Sequence, residues 1–341
     1  MRVILTSQYK NKLDSINELT DNDILHISDV FDSGYIDYAL KKGSPKYIVS
    51  DNITFFSELK FYGLPLAIDH QTKQIINEIE FEKNIDTINC FNFMINKKEV
   101  HRFLCIKFVE WFNLLNFDYT WSAVDQNFDM VDIIAELNLL GSQSPLNKEA
   151  RSFLLAPIQL EKRFIEFPMQ ETNHSSISNY GGNVWTWKNG LQNLFLNSAI
   201  SLITESTRFQ KAAVFTEKTL YAMLGLTFPI WVGGYNQANE WKRIGFDTFD
   251  DVIDHSYQNY DTLIERCYYA FFLNLELLSN VDKTKELRLI HQDRLFKNRE
   301  LLLQNHLGKF IDQEVSKYPE DLQSAMPKIL NHYNPKPVKP N

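Results

Sequence analysis

Glu205, Glu217 and Lys218 are the residues whose types and spacing suit chemistry on an anionic, hydroxyl-bearing ligand. Glu205 follows an apolar run, Ala199 to Ile203, that reads as a strand. Glu217 and Lys218 open a helix expected over Thr219 to Leu224, with Thr216 as a natural N-cap and Gly225 as its stop. A second apolar run, Phe228 to Val232, ends at Gly233-Gly234. Strand, loop, helix and strand in this order form half of a nucleotide-binding unit, and open parallel sheets bind ligands at their strand ends. A carboxylate there could accept both hydrogen bonds of a ribose cis-diol. A lysine beside it could pair with phosphate, and the helix amides, Thr219 included, add donors. The purely structural alternatives are a well-placed acid at a helix start for Glu217 and a salt bridge to Arg208 or Lys218 for Glu205.

A second group of charges lies upstream, and its elements can be predicted too. Cys90 to Asn96 reads as a buried strand, Lys97 to Val100 as a tight connection, His101 to Leu115 as a helix and Phe117 to Trp121 as the next strand. This βαβ unit puts Lys97, Lys98, His101 and Arg102 at a strand end and a first helical turn. The helix dipole prefers anions at that end, so several cations there suggest an anionic ligand such as a pyrophosphate. A solvated basic turn is the competing explanation. Residues 1 to 87 alternate short strands (Val3 to Leu5, Ile24 to Ile27, Tyr47 to Val49) with helices near Ile36 to Leu40 and Phe55 to Leu59. Acids and histidines, Asp32, Asp69 and His70 among them, cluster near the ends of those strands.

The remaining chain supplies bulk rather than motifs. Helices are expected over Asp129 to Leu140, Lys148 to Leu155 and Tyr260 to Leu278, and one long amphipathic helix from Lys283 to about Val315. Asn173 to Trp187 reads as a polar loop in which Trp185 and Trp187 offer either stacking faces or core packing. Residues 333–341 read as a frayed, proline-rich tail. A length of 341 residues favours two domains over one large domain, and 44% hydrophobic with 23% charged residues is ordinary for a soluble globular protein. A net charge of -8 argues against a broad basic surface for nucleic acid. Three scattered cysteines suit a reducing cytoplasm, and no Cys-x-x-Cys pair supports structural zinc. The short apolar start, Met1 to Leu5, reads as a strand rather than a signal peptide, and no run reaches membrane-spanning length. A cytoplasmic protein is expected, in the host cytoplasm if the chain is viral. Phosphate-binding P-loops, Gly-x-Gly-x-x-Gly and Gly-x-Ser-x-Gly are all absent from the sequence.

The segment Phe215-Thr216-Glu217-Lys218-Thr219, followed by an aliphatic helix, Gly225, Pro229 and a Val-Gly strand end, resembles the donor-binding motif of GT-B fold glycosyltransferases. The exostosin-like and α-1,3-fucosyltransferase-like families are the nearest patterns. The likeness takes in Ile203-Thr204-Glu205, Gly245 to Phe249 and the upstream turn with Asn96 and Arg102, discontinuously over about half the chain. It implies an α/β protein with two Rossmann-like domains facing a cleft and a helical C-terminal segment. Residues 1–87 would be the acceptor-side domain and 88–332 the nucleotide-sugar domain, with an insertion at about 125–190. It also implies a UDP- or GDP-sugar donor, with Glu217 on the ribose, Lys218 and Arg102 on the pyrophosphate and Glu205 near the donor sugar. No metal or further cofactor is implied. The acceptor would be a glycan, a small molecule or a modified nucleic acid, its base drawn from Asp32, Asp69 or His70. Asp21-Asn22-Asp23 has the letters of a metal signature found in other sugar transferases, but it sits in a loop and reads as a turn or cap. A transferase acting on a modified DNA base and an inactive nucleotide-binding or scaffold protein are the alternatives.

Overall fold

A computed structural model of the chain describes residues 2–7, 18–28, 40–50, 53–54, 61–76, 87–95, 99–121, 130–140, 144, 146, 149–161, 187, 191–205 and 212–331. The fold is mixed α/β with two parallel four-stranded sheets. The first contains β1 (Arg2–Ser7), β2 (Asp23–Ser28), β3 (Tyr47–Ser50) and β5 (Phe61–Gly63), in the order β1-β2-β3-β5. The two-residue strand β4 (Ile53–Thr54) leaves this sheet. Arg2 lies opposite Asp23 in the β1–β2 register, and its guanidinium bonds both Asp23 oxygens at 2.7 Å. That bond, ahead of those from Thr20, holds the Asp23 carboxyl at about 2. Asp21-Asn22-Asp23 is therefore a turn whose last acid anchors a strand. Helix α1 (Leu66–Ile76) follows β5.

The chain then runs through β6 (Asn89–Ile95), α2 (Val100–Trp111), β7 (Phe117–Trp121), α3 (Met130–Leu139), α4 (Glu149–Leu154), α5 (Gln192–Leu196), β8 (Ser198–Ile203), β9 (Ala212–Ala213), α6 (Glu217–Leu224) and β10 (Phe228–Trp231), of which β6, β7, β8 and β10 form the second sheet. Its order is β10-β8-β6-β7. Every residue of β8 and β10 is buried, as near-continuous apolar runs require when helices cover both sheet faces. The chain moves from β6 outward to β7, then returns to place β8 and β10 on the other side. The C-terminal ends of β6 and β8 are thus the topological switch point, where open α/β sheets form their binding crevice.

Helices complete the chain: α7 (Gln237–Ile244), a 3₁₀ turn at Ser256–Asn259, α8 (Leu263–Phe272), α9 (Leu275–Ser279), α10 (Val281–Ile290), α11 (Gln292–Leu303), α12 (His306–Val315) and α13 (Glu320–Leu330). The long helix expected from Lys283 to Val315 is three helices, the last break made by Asn305 in the left-handed region at φ 57°. The helix expected over Tyr260 to Leu278 likewise divides into α8 and α9. Helices α7 and α13 were not expected; Gly245, at φ 111°, ends α7 as a left-handed cap.

The two sheets are interlocked by three devices. Ile68 and Ile75 of α1 enter the core that holds Phe195, Tyr221, Leu302 and Phe310. Leu322, Met326 and Ile329 of α13 pack with Ile24, Tyr47 and Val49 of the first sheet, where Asp321 also meets Lys46 and the Tyr47 hydroxyl. Finally, β4 pairs antiparallel with β9. By its contacts α13 packs with the first sheet.

Arg288 of α10 locks the other end of the second sheet. Its guanidinium donates to the carbonyls of Leu226 at 3.0 Å, Leu196 at 2.7 Å and Gly225 at 2.7 Å, and to the Thr87 hydroxyl at 3.1 Å. These carbonyls close α5 and α6, the negative ends of two helix dipoles. Burial pushes the guanidinium down to about 9, which still leaves it charged at neutral pH. Arg288→Met should lower stability by about 3–5 kcal/mol, because it strands several buried acceptors. Arg288→Lys should recover little of that loss, since a single ammonium cannot span the same carbonyls. Urea-denaturation midpoints of the three proteins check this, and a loss below about 1 kcal/mol for the Met variant would contradict it.

Candidate functional site

The candidate site is the crevice between the C-terminal ends of β6 and β8, where α2 and α6 begin. Thr204, just past β8, donates its hydroxyl to the Met94 carbonyl of β6 at 2.9 Å, which fixes the two strand ends together. The next residue, Glu205, is 3% exposed and organises both helices. Its main-chain oxygen lies 2.7 Å from His101 Nε2 and accepts from Arg102 Nη2 at 3.1 Å, so the first turn of α2 is tied to the end of β8. Nε2 of His101 therefore carries a proton.

The Glu205 carboxylate faces α6. It accepts from the Thr216 amide at 3.2 Å and from the hydroxyls of Thr216 and Thr219. Both hydroxyls are committed as donors. Thr219 Oγ1 receives Trp231 Nε1 at 2.9 Å, and Thr216 Oγ1 receives the Lys218 amide as the N-cap of α6. Burial raises the Glu205 carboxyl; the Lys218 charge and the two threonines oppose it.

Glu217 forms the more open side of this cluster, with Lys218 buried beneath it. Their side chains meet at 2.7 Å, with Glu217 26% exposed and Lys218 5% exposed. Burial works against ionisation of Glu217, but Lys218, the backbone and the Arg102 charge outweigh it and hold the carboxyl at about 2. A cavity of about 10 Å³, the size of one water, lies beside Lys218 among Asn92, Phe195, Ser201 and Thr204. The crevice thus carries an ionised carboxylate, two cations and a protonated histidine nitrogen around two helix N-termini, a donor-rich arrangement for an anion with neighbouring hydroxyls.

Arg102, Glu205, Thr216, Glu217, Lys218 and Thr219 are all brought together here. Asn96 and Asp32 lie outside the described residues, as do Lys97, Lys98 and Arg208. Asp69 and His70 lie on α1; Asp69 pairs with Lys73 one turn on at 2.7 Å, and its charged neighbours are His70 and Asp312. Burial raises Asp69, against the pull of Lys73, and burial lowers His70. Of the two tryptophans, Trp187 is core, 1% exposed and stacked on Tyr221 at 5.5 Å, and Trp185 lies outside the described residues.

Two larger grooves, of about 550 and 530 Å³, flank the acidic segment Asp250–Asp251. Their carboxylates are engaged: Asp250 by Lys242 and Thr248, Asp247 and Asp251 by Arg294, Asp254 by Ser256. Size alone does not make them the functional site. Sequence reasoning missed Arg266 of α8, which reaches the Gly233 carbonyl at the end of β10. A signal existed: Arg266 replaces an apolar residue in the stripe Leu263, Cys267, Ala270 of its helix.

Comparison of the chain with protein-family models, curated proteins and solved structures finds no match. No helix among the described residues is long and apolar enough to cross a membrane, and no group of three or more His, Cys, Asp or Glu among them could hold a metal ion.

The network fixes the response to mutation and pH. Glu205→Ala should cost about 3 kcal/mol or more, since three buried donors lose their acceptor. Glu205→Gln should cost less but not zero, because its amide group would face hydroxyls already oriented as donors. Glu217, with its folded value depressed from 4.5 to about 2, contributes stability that is fully present above pH 4.5 and disappears as pH falls through 2. The stability difference between wild type and Glu217→Gln should therefore shrink over that window. Equal urea midpoints of these two proteins at neutral pH would contradict the Glu217 assignment.

Proposed function

We propose that the crevice at β6 and β8 binds the diphosphate and ribose of a nucleotide sugar, and that the chain is a glycosyltransferase. The observation that carries this reading is the convergence of Arg102, Glu217 and Lys218 on two helix N-termini at the switch point of a parallel sheet. Arg102 lies more than a hundred positions before the Glu217-Lys218 pair, and Glu205 holds the two parts together. The resemblance of Thr216-Glu217-Lys218 to donor-binding motifs points the same way. Arrangement of the two sheets as a GT-B pair facing a cleft is part of this proposal.

In this reading the Glu217 carboxylate accepts the two ribose hydroxyls through the oxygen edge that remains partly exposed. Lys218 and Arg102 face the diphosphate. As the bond from the sugar C1 to the phosphate oxygen breaks, the electron pair leaves with the nucleoside diphosphate, and these cations stabilise the growing negative charge. The acceptor oxygen forms the new bond to C1 and gives its proton to a general base from the first unit, Asp32, Asp69 or His70. A base with a raised pKa suits that task better than an ordinary carboxylate, which favours Asp69 once Lys73 releases it. Glu205 takes a positioning role, since its carboxylate is already saturated by Thr216 and Thr219. UDP- and GDP-sugars are the donors of choice, and the acceptor is a glycan, a small molecule or a modified nucleic acid.

UDP or GDP at a hundredfold excess over its dissociation constant should stabilise the protein by about 2.7 kcal/mol. Thermal-shift titration reads this directly. Glu217→Gln and Lys218→Ala should each weaken binding by about tenfold or more, the worth of a charge-assisted hydrogen bond. Equal stabilisation of wild type and both variants would sink the site. Binding without release of nucleoside diphosphate from any nucleotide sugar offered would identify a nucleotide-binding protein instead.

A further inference from the structure

Arg266 is completely buried, 0% exposed, at the C-terminal end of β10. Its Nε donates to the Gly233 carbonyl at 3.1 Å, and its Nη1 donates to the carbonyls of Tyr260 and Asp261, both at 2.9 Å. Its Nη2, also buried, has no hydrogen-bond partner among the described residues. A buried donor on a cation is costly to leave unmet, so native structures supply it with water or a ligand.

The position of this donor matters. Gly233 sits at φ 75°, and a β-carbon on it would lie 3.2 Å from the His101 Cβ of α2 and 3.0 Å from the Cys267 sulfur of α8. The Gly233 peptide is therefore the point where β10, α8 and the first turn of α2 meet. Helix α2 has no side-chain capping bond at Glu99, whose carbonyl takes the amides of Arg102 and Phe103. A second unmet polar atom flanks the same turn: the Gln237 Oε1, buried, whose amide nitrogen donates to Val214 at 2.8 Å. The glycine turn after β10 thus lies between an unused buried donor and an unused buried acceptor, beside a helix N-terminus.

We propose that Arg266 is an anion-binding residue of this crevice: its Nη2 and the first turn of α2 together take one phosphate-class group of the ligand. The inference rests on the nucleotide-diphosphate reading and adds to it a second contact, on the β10 side, opposite Lys218. A diphosphate fits this division, one phosphate held towards α6 and the other towards β10. After Cys267 on its own helix, Glu136 of α3 is the group whose negative field reaches the guanidinium most strongly, ahead of Asp261. A ligand anion and the Glu136 carboxylate therefore oppose each other.

Two substitutions separate this role from a structural one. Arg266→Gln should weaken binding of UDP and of inorganic pyrophosphate by about tenfold, measured by calorimetry, while uridine binding stays unchanged. Glu136→Gln removes the competing charge and should tighten pyrophosphate binding by a few-fold. It needs no change at Arg266 and decides the question even if the arginine variant fails to fold. Unchanged pyrophosphate affinity in Glu136→Gln, or unchanged UDP affinity in a folded Arg266→Gln, overturns the proposal and leaves a water bridge between Arg266 and Glu136 as its explanation. If UDP protects the wild type and Glu217→Gln abolishes that protection while Glu136→Gln or a folded Arg266→Gln leaves the affinity unchanged, this inference fails alone. If neither UDP, GDP nor pyrophosphate binds the wild type, the nucleotide reading fails with it.

Discussion

Helix α6 is held between two buried charges, each of the sign that its dipole favours. At its N-terminus the Glu205 carboxylate accepts from Thr216 and Thr219, and at its C-terminus the Arg288 guanidinium collects the carbonyls of Gly225 and Leu226. Neither charge comes from α6 itself. Glu205 ends β8, and Arg288 comes from α10, so the helix is fixed lengthwise against the sheet by its neighbours. Burying an ion is expensive unless its hydrogen-bonding capacity is filled, and here each ion is filled almost entirely by groups of this one helix and of the strand ends around it. Moving α6 by even a few tenths of an ångström would lengthen several of these bonds at once.

The same carboxylate residue sets the geometry of the crevice. The Glu205 side chain seats α6 while its carbonyl seats α2 through His101 and Arg102. Two helix N-termini from distant parts of the chain are thereby brought to one spot, and their cations come with them. Glu217 is then left partly exposed, with Lys218 buried against it, in a frame that cannot easily relax, which is the condition for preorganised binding of an anion. The depressed carboxyl of Glu217 and the raised carboxyl of Glu205 are products of one arrangement. The outer acid lies directly against Lys218, and the inner acid is fully desolvated among hydroxyls.

The two sheets share this frame rather than sitting apart. Strand β4 of the first sheet's unit pairs with β9, only a few residues before the Thr216 cap. Helix α1 inserts Ile68 and Ile75 into the core under Tyr221 of α6, and α13 returns to cover the first sheet. A displacement of the first sheet would therefore be felt at both the start and the flank of α6. In physical terms the acceptor side and the donor side of the proposed reaction are coupled through packed side chains and one pair of short strands.

Much of this was legible in the residue order. Apolar runs marked β6, β8 and β10, Thr216 announced a cap, Gly225 announced a stop, and the charges at Glu205, Glu217, Lys218 and Arg102 stood out at strand and helix ends. Such signals are local: burial of a strand, the φ restrictions of a turn and the unmet amides of a helix start act within a few residues. The sequence by itself therefore determined the α/β class and the content of each element near the site. It could not show that Glu205 would answer to two threonines rather than to an arginine, that Arg266 and Arg288 would be buried among carbonyls, or that Asp69 would pair along α1 with Lys73. Nor could it show that α13 would return to the first sheet. Those outcomes depend on which elements pack against which, across separations of tens to hundreds of residues, and only the tertiary structure decides where a buried charge finds its partners.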